Sequence, residues 1–145
     1  MTTERTYARP LEAVDGLEVR DADGGVRVVT ARKTVRSSDP YMPGHYPGQI
    51  LYPAVFLLET VRQATTAAFQ DTWGDWLEVA SVRTLRLIKP MLEGDELTVE
   101  ITVTPSAELL AARVRAHCGS AQVAEMSVVF SRGPGDAARE GTAGG

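Results

Sequence analysis

The sequence predicts an α+β fold, with a curved antiparallel sheet wrapped around one long central helix. Three observations predict it. The segment from Pro53 to Phe69 is apolar around nearly its whole circumference, as a buried helix is. On both sides of it the chain alternates apolar and polar residues with a period of two, which is the strand signature. The runs are separated by short turns rich in glycine and acidic residues, which join antiparallel neighbours.

In chain order, Leu17 and Val19 alternate with polar residues, and Asp23-Gly24-Gly25 supplies a tight turn. Val26 to Val35 resumes as a β-rich run, which completes a hairpin. Ser37 to Pro53 holds Pro40, Pro43, Pro47 and Pro53 with Gly44 and Gly48 among them, which forbids a regular helix or central strand. The spacing therefore predicts an ordered loop. Pro53 suits the first turn of the helix that follows, where its missing N–H costs nothing. The helix's polar exceptions, Glu59, Gln63, Thr66 and Gln70, recur at steps of four, three and four and form one stripe. Gly74 and its polar neighbours end it. Val79 to Ile88 reads as a strand, closed by Lys89-Pro90 and the turn Glu93-Gly94-Asp95-Glu96. Leu97, Val99, Ile101 and Val103 then alternate with Thr98, Glu100, Thr102 and Thr104, the cleanest half-buried strand in the chain. Leu109 to Cys118, a Gly119-Ser120 turn and Val123 to Phe130 complete the sheet.

One domain is expected from 145 residues, with enough chain to bury its own core. Its organisation reads as a lead-in over 1–14, the patterned domain over 15–131 and a disordered Gly-rich tail over 132–145. The sheet's far edge and any uncovered apolar stripe favour a second copy. The single cysteine, Cys118, rules out a disulfide framework and a thiolate metal cluster. A net charge of -4 disfavours nucleic acid, and no polybasic patch addresses a membrane. No apolar run is long enough to span a bilayer, and Met1 to Pro10 lacks signal-peptide order, so a cytoplasmic protein is expected.

Two residues stand out for chemistry. His45 sits in Met42-Pro-Gly-His-Tyr-Pro-Gly48, whose flanking prolines and glycines fix the imidazole in place. Histidine is the side chain suited to proton transfer near neutrality; the plainer reading is a surface loop histidine. Glu59 is a carboxylate on an otherwise apolar helix, where burial raises its pKa as a general acid requires. The plainer reading places it on an exposed stripe, paired with Arg62 or Arg83. Between the two, the free N–H groups around Ala54 and Val55 at the helix start are placed to polarise a carbonyl oxygen. Abstraction of an α-proton with loss of a β-hydroxyl needs that set of parts. His117 reads as solvent-facing or packed, and Cys118 as a strand-buried thiol. The arginines at 83, 86, 113 and 115 read mostly as solvated strand faces, with an acidic carrier protein as the alternative use. His45 and Glu59 are too few for a zinc site, so no metal is expected.

Gly44-His-Tyr-Pro-Gly48, Pro53 and Leu57-Leu-Glu-Thr-Val-Arg-Gln63 together resemble the hotdog-fold β-hydroxyacyl-acyl carrier protein dehydratases, and within them the glutamate-using, FabZ-like branch. The step from His45 to Glu59 matches that family's spacing, and the likeness extends over roughly residues 11 to 131. The resemblance implies a hydro-lyase that forms a trans-2-enoyl thioester. His45 would remove the α-proton of a (3R)-hydroxyacyl thioester and Glu59 would protonate the departing hydroxyl. The amide of Ala54 would hold the thioester carbonyl, and Gln63 would orient Glu59. Tyr46 and Gly48 belong to the supporting loop. The resemblance also implies an acyl carrier protein as partner, its phosphopantetheine bearing the substrate, and no metal or redox cofactor. Two subunits, identical or paralogous, would share sites at their interface, each site taking His45 from one chain and Glu59 from the other, with further assembly up to a hexamer.

The chain departs from the family pattern at Tyr46, which stands for phenylalanine, and at Ile50 and Tyr52, which reshape the pocket mouth. Ala54 stands for glycine, and Arg62 for a small residue; a buried arginine one turn from Glu59 would lower that residue's pKa and spoil it as an acid, with a surface contact for a special partner as the alternative use. These changes favour a specialised dehydratase, as in polyketide or related lipid assembly, over the housekeeping enzyme. Two other uses of the same fold compete: a non-catalytic or partner-dependent subunit, and an acyl thioesterase in which Glu59 activates water.

Overall fold

The computed structural model describes residues 14–36, 54–74, 76–92 and 94–133. The lead-in before residue 14, the tail after Gly133 and the loop carrying His45, Tyr46 and Gly48 lie outside the described residues.

The first hairpin forms as predicted. Strand β1 (Gly16–Asp21) pairs antiparallel with β2 (Arg27–Thr34), and Asp23–Gly25 makes a single 3-10 turn between them. Gly24 and Gly25 hold φ of 73° and 79°, a region that glycine enters without strain. Helix α1 (Ala54–Ala68) follows. The sequence predicts one helix that includes Gln70 and ends at Gly74, but the chain breaks at Phe69 before a last short turn, α2 (Gln70–Trp73). Arg27 occupies the break: its guanidinium donates to the Ala68 carbonyl at 2.5 Å and lies over the Phe69 ring.

The remaining strands are β3 (Leu77–Leu87), β4 (Glu96–Ser106), β5 (Leu109–Cys118) and β6 (Ala121–Arg132). All pairings are antiparallel, in the order β1-β2-β4-β5-β6-β3. The alternation in β4 is realised strictly: Leu97, Val99, Ile101 and Val103 are buried. Val114, Ala116, Met126, Val128 and Phe130 continue that inner face, and Phe56, Leu57, Val61 and Ala64 of α1 pack within the same core. A single apolar layer between helix and sheet therefore holds the fold together.

β3 is the exception. It lies at one edge, two bulges shift its register against β6, and Val82, Leu85 and Leu87 are exposed. At the sheet's other side, the turn before β4 pins the exit of β2. Val35 donates to the Asp95 carbonyl at 2.9 Å and accepts from the Gly94 amide at 2.8 Å. The departure of the chain towards residue 37 is thereby fixed. Lys33, one step back in phase with Val29, Ala31 and Val35, is 1% exposed on the core face and engages at least one further group.

Candidate active site

Helical spacing puts Val55, Glu59, Arg62 and Gln63 on one face of α1. Val55 is open, while Glu59 and Gln63 are half-buried; Thr66, next in the predicted stripe, is buried. The stripe is thus a polar seam running from the helix's open N-terminal end into the core.

The Glu59 carboxylate is held at both oxygens. Oε1 accepts from Arg62 Nε at 2.8 Å; Oε2 accepts from Arg62 Nη2 at 2.5 Å and from Gln63 Nε2 at 2.9 Å. Arg62 is itself fixed: Nη1 donates to the Leu77 carbonyl at 3.4 Å, and its guanidinium carbon lies 4.1 Å from the centre of the Trp76 ring. Arginine suits this place because its planar fork serves a carboxylate and its face stacks on an indole. Trp76 in turn rests on Gly133, whose amide donates to the Trp76 carbonyl at 3.0 Å. A Cβ at residue 133 would stand 2.1 Å from Trp76 Cδ1, so the seat requires glycine.

This arrangement corrects one expectation. Burial does push the Glu59 pKa upward and is the largest single influence. The hydrogen bonds from Arg62 and Gln63, with the Arg62 charge, together outweigh it and hold the carboxyl below its ordinary value. Glu59 rests as a carboxylate, not as the protonated acid that burial alone predicts.

Ala54 opens α1, so its amide belongs to the first turn, where N–H groups have no partner within the helix. The structure brings Glu59 and Gln63 together and sets Ala54 about 7.5 Å along the helix axis from Glu59. Sequence reasoning missed Trp76, Gly133 and Lys33. Only Lys33 carried a local signal, a charge in phase with the buried residues of β2. His117 and Cys118 are half-buried on β5, so Cys118 is a strand thiol packed against the core but less buried than expected. Among the described residues no cluster of three metal-ligating side chains occurs. A groove of about 770 Å³ lies on the sheet face turned away from α1, lined by Arg86, Arg113, Arg115, Glu100 and Glu125; it is remote from Glu59 and is not an acyl tunnel.

The family model for ApeI-like proteins, described as ApeI dehydratase, matches residues 21–126. That span is most of the chain. The chain belongs to the ApeI-like dehydratase family. The ApeI-like match takes in His45, Glu59, Arg62 and Trp76 and stops short of Gly133. Among curated relatives, the 3-hydroxyacyl-acyl-carrier-protein dehydratase FabZ of Cronobacter sakazakii is 32% identical over 81 residues, covering 52% of this chain. The aligned stretch spans 54% of that relative's length. Among solved structures, the dehydratase heterocomplex ApeI:P of Xenorhabdus doucetiae is similar at a TM-score of 0.59 and 16% identity, covering 86% of this chain and all of that one. The fluoroacetyl-CoA thioesterase FlK is similar at a TM-score of 0.62 and 15% identity, covering 81% and 88%. At such identities the likeness is one of fold, and this ApeI-like chain has the hotdog fold. Among the described residues no helix is long and apolar enough to cross a membrane.

Proposed function

We propose that the chain is a β-hydroxyacyl thioester dehydratase, a hydro-lyase that forms a trans-2-enoyl thioester in fatty acid or polyketide assembly. The observation that carries this reading is Glu59 on the polar seam of α1, oriented by Gln63 one turn on, in a chain of a dehydratase family. In the reaction His45 takes the α-proton, the electron pair forms the Cα–Cβ double bond, and the β-hydroxyl leaves as water with a proton from Glu59, which rests ionised and therefore first takes that proton from solvent. The Ala54 amide stabilises the thioester oxygen as charge develops. The reaction asks for no metal or redox cofactor; the substrate is a thioester, carried on the phosphopantetheine of an acyl carrier protein.

The working unit is a dimer. β3 offers an unpaired edge beside the exposed side chains of Val82, Leu85, Leu87 and Ile88, which a second hotdog subunit would cover. That subunit is a second copy or a paralogue; the similar ApeI:P structure is a heterocomplex.

The test is hydration of a short 2-enoyl-pantetheine thioester by the purified chain, with His45→Ala and Glu59→Gln beside it. Loss of hydration in both variants supports the reading. An inactive wild type across several chain lengths, recovering when a hotdog partner is added, moves it to the partner-dependent subunit.

One observation favours a second reading. A carboxylate held ionised suits water activation, so thioester hydrolysis on the same fold is the competing activity. His45→Ala separates the two, since it abolishes dehydration and leaves a Glu59-driven hydrolysis largely in place.

A further inference from the structure

We propose that Arg62 is a positioning residue, pressed between the Trp76 ring and the Glu59 carboxylate, that fixes both oxygens of Glu59 for proton exchange, with Gly133 as the seat that keeps Trp76 in place. The inference rests on the dehydratase reading above and deepens it.

The geometry assigns a role to each oxygen. A carboxylate has about four acceptor sites, two on each oxygen. Among the described residues Oε2 takes two donors, from Arg62 and Gln63, whereas Oε1 takes one, from Arg62 Nε. Oε1 is therefore the oxygen that exchanges a proton with the β-hydroxyl or the water replacing it. Glutamate has three side-chain torsions, and a single donor would leave the carboxylate free to turn. The Arg62 fork removes that freedom, and Arg62 cannot swing away because Leu77 and Trp76 hold its far edge and its face.

Arg62 also dominates the charge around Glu59. α1 packs on β2, β3, β4 and α2. β2 brings Lys33 on the core face and Arg27 at the far helix end, the latter engaged with Asp71 of α2. β3 brings Glu78, Arg83 and Arg86, all exposed, and the inward residues of β4 are uncharged. Of these neighbours, Arg62 is the charge that acts on Glu59 directly.

The consequence is a pH range. In the hydration direction Glu59 must be a carboxylate, taking a proton from water as the oxygen bonds to Cβ, while His45 delivers a proton to Cα. By holding the carboxylate, Arg62 extends hydration to lower pH without altering the overall equilibrium.

The experiment compares the full chain with Arg62→Met, Arg62→Lys and Gly133→Ala, using hydration of a 2-enoyl-pantetheine across pH. In Arg62→Met the acidic limb of kcat/KM should move up by about one pH unit, with kcat falling about tenfold and KM changing less than about threefold. Arg62→Lys should restore part of the limb but not kcat, because an ammonium keeps the charge and loses the fork. Gly133→Ala, which displaces Trp76 from outside the site, should move the limb in the same direction by less. A carbon-13 titration of the Glu59 carboxyl, assigned with Glu59→Gln, reads the same shift without turnover. It therefore tests Arg62 even if the wild type hydrates nothing, an outcome that counts against the dehydratase reading alone. An unmoved carboxyl midpoint in Arg62→Met overturns the proposal; if that variant does not fold, an unmoved midpoint in both Arg62→Lys and Gly133→Ala does so.

Discussion

Arg27 of β2 lies over the ring of Phe69, 4.6 Å from its centre, at the break between α1 and α2. The same guanidinium takes the Ala68 carbonyl and pairs with Asp71 at 2.9 Å. One strand residue thus closes the C-terminal end of α1 by a hydrogen bond, a ring contact and an ion pair. Arg132 of β6 makes a similar contact with Trp73, 4.5 Å from the ring centre. Arg27 of β2 closes the end of α1, and Arg132 of β6 holds the short turn α2 that follows it.

Arg27→Met should cost about 1–2 kcal/mol, since it removes a charged hydrogen bond to a helix-terminal carbonyl and a ring contact together. A drop in Tm of about 3–7 °C follows for a chain of this size. Asp71→Asn should cost less than about 0.5 kcal/mol, because Asp71 is exposed and its ion pair is screened by water and salt. Equal losses from the two variants would show that the ion pair, and not the carbonyl and ring contacts, holds the helix end.

Glu59 should also make stability depend on acidity. Its pKa is held below the ordinary value in the folded chain, so its stabilising contribution is fully present above the unfolded value of about 4.3. That contribution is lost as pH falls through the lower folded value. Glu59→Gln should therefore be less stable than wild type at pH 7, and the gap should shrink below about pH 4.3 and then close. Urea midpoints of both proteins from pH 7 to pH 3 measure it. A gap that does not change with pH would mean that Arg62 contributes nothing to holding the charge.

Much of this fold can be read locally. β4 declares itself because each of its faces sees one environment, so Leu97, Val99, Ile101 and Val103 fall in strict alternation. α1 declares itself because it is enclosed by the sheet. β3 is less legible, since its two bulges shift the period and its apolar residues are exposed in the single chain. Its place beside β6 has no local signature at all. At the site, Glu59 and Gln63 share a face by helical spacing, and Arg62, three residues from Glu59, signals the lowered carboxyl pKa in the same way. What holds Arg62 in place has no local signal: Trp76 and Gly133 are far from it in sequence and meet only when the chain folds. His45, found by its proline and glycine flanks, lies outside the described residues.

The two faces of α1 should respond oppositely to the same kind of truncation. Leu57 is fully buried beneath the sheet, so Leu57→Ala should destabilise by about 2–5 kcal/mol through lost burial and a cavity. Val55, two residues earlier, is 63% exposed, and Val55→Ala should stay within about 0.5 kcal/mol of wild type. Denaturant unfolding of both separates packing from helix propensity. A large loss from Val55→Ala would mean that this position is covered in the assembled protein.

The edge of β3 gives the last prediction. Leu85 and Leu87, 46% and 53% exposed, stand on β3, an edge strand among the described residues, an arrangement that isolated sheets avoid and interfaces use. A double change, Leu85→Lys with Leu87→Lys, should turn a dimer into a monomer in light scattering while leaving the circular dichroism spectrum in place. Leu85 and Leu87 stand opposite Met126 and Ala124 of β6 on the inner face, beyond the cover of α1, where lysines repel a second subunit. Because the proposed site takes His45 from one subunit and Glu59 from the other, the monomer should lose hydration by about 100-fold or more. Activity retained in a true monomer would instead place both residues in one chain. A wild type that is already monomeric, and gains hydration only with an added hotdog protein, would make this edge the docking surface for a paralogue.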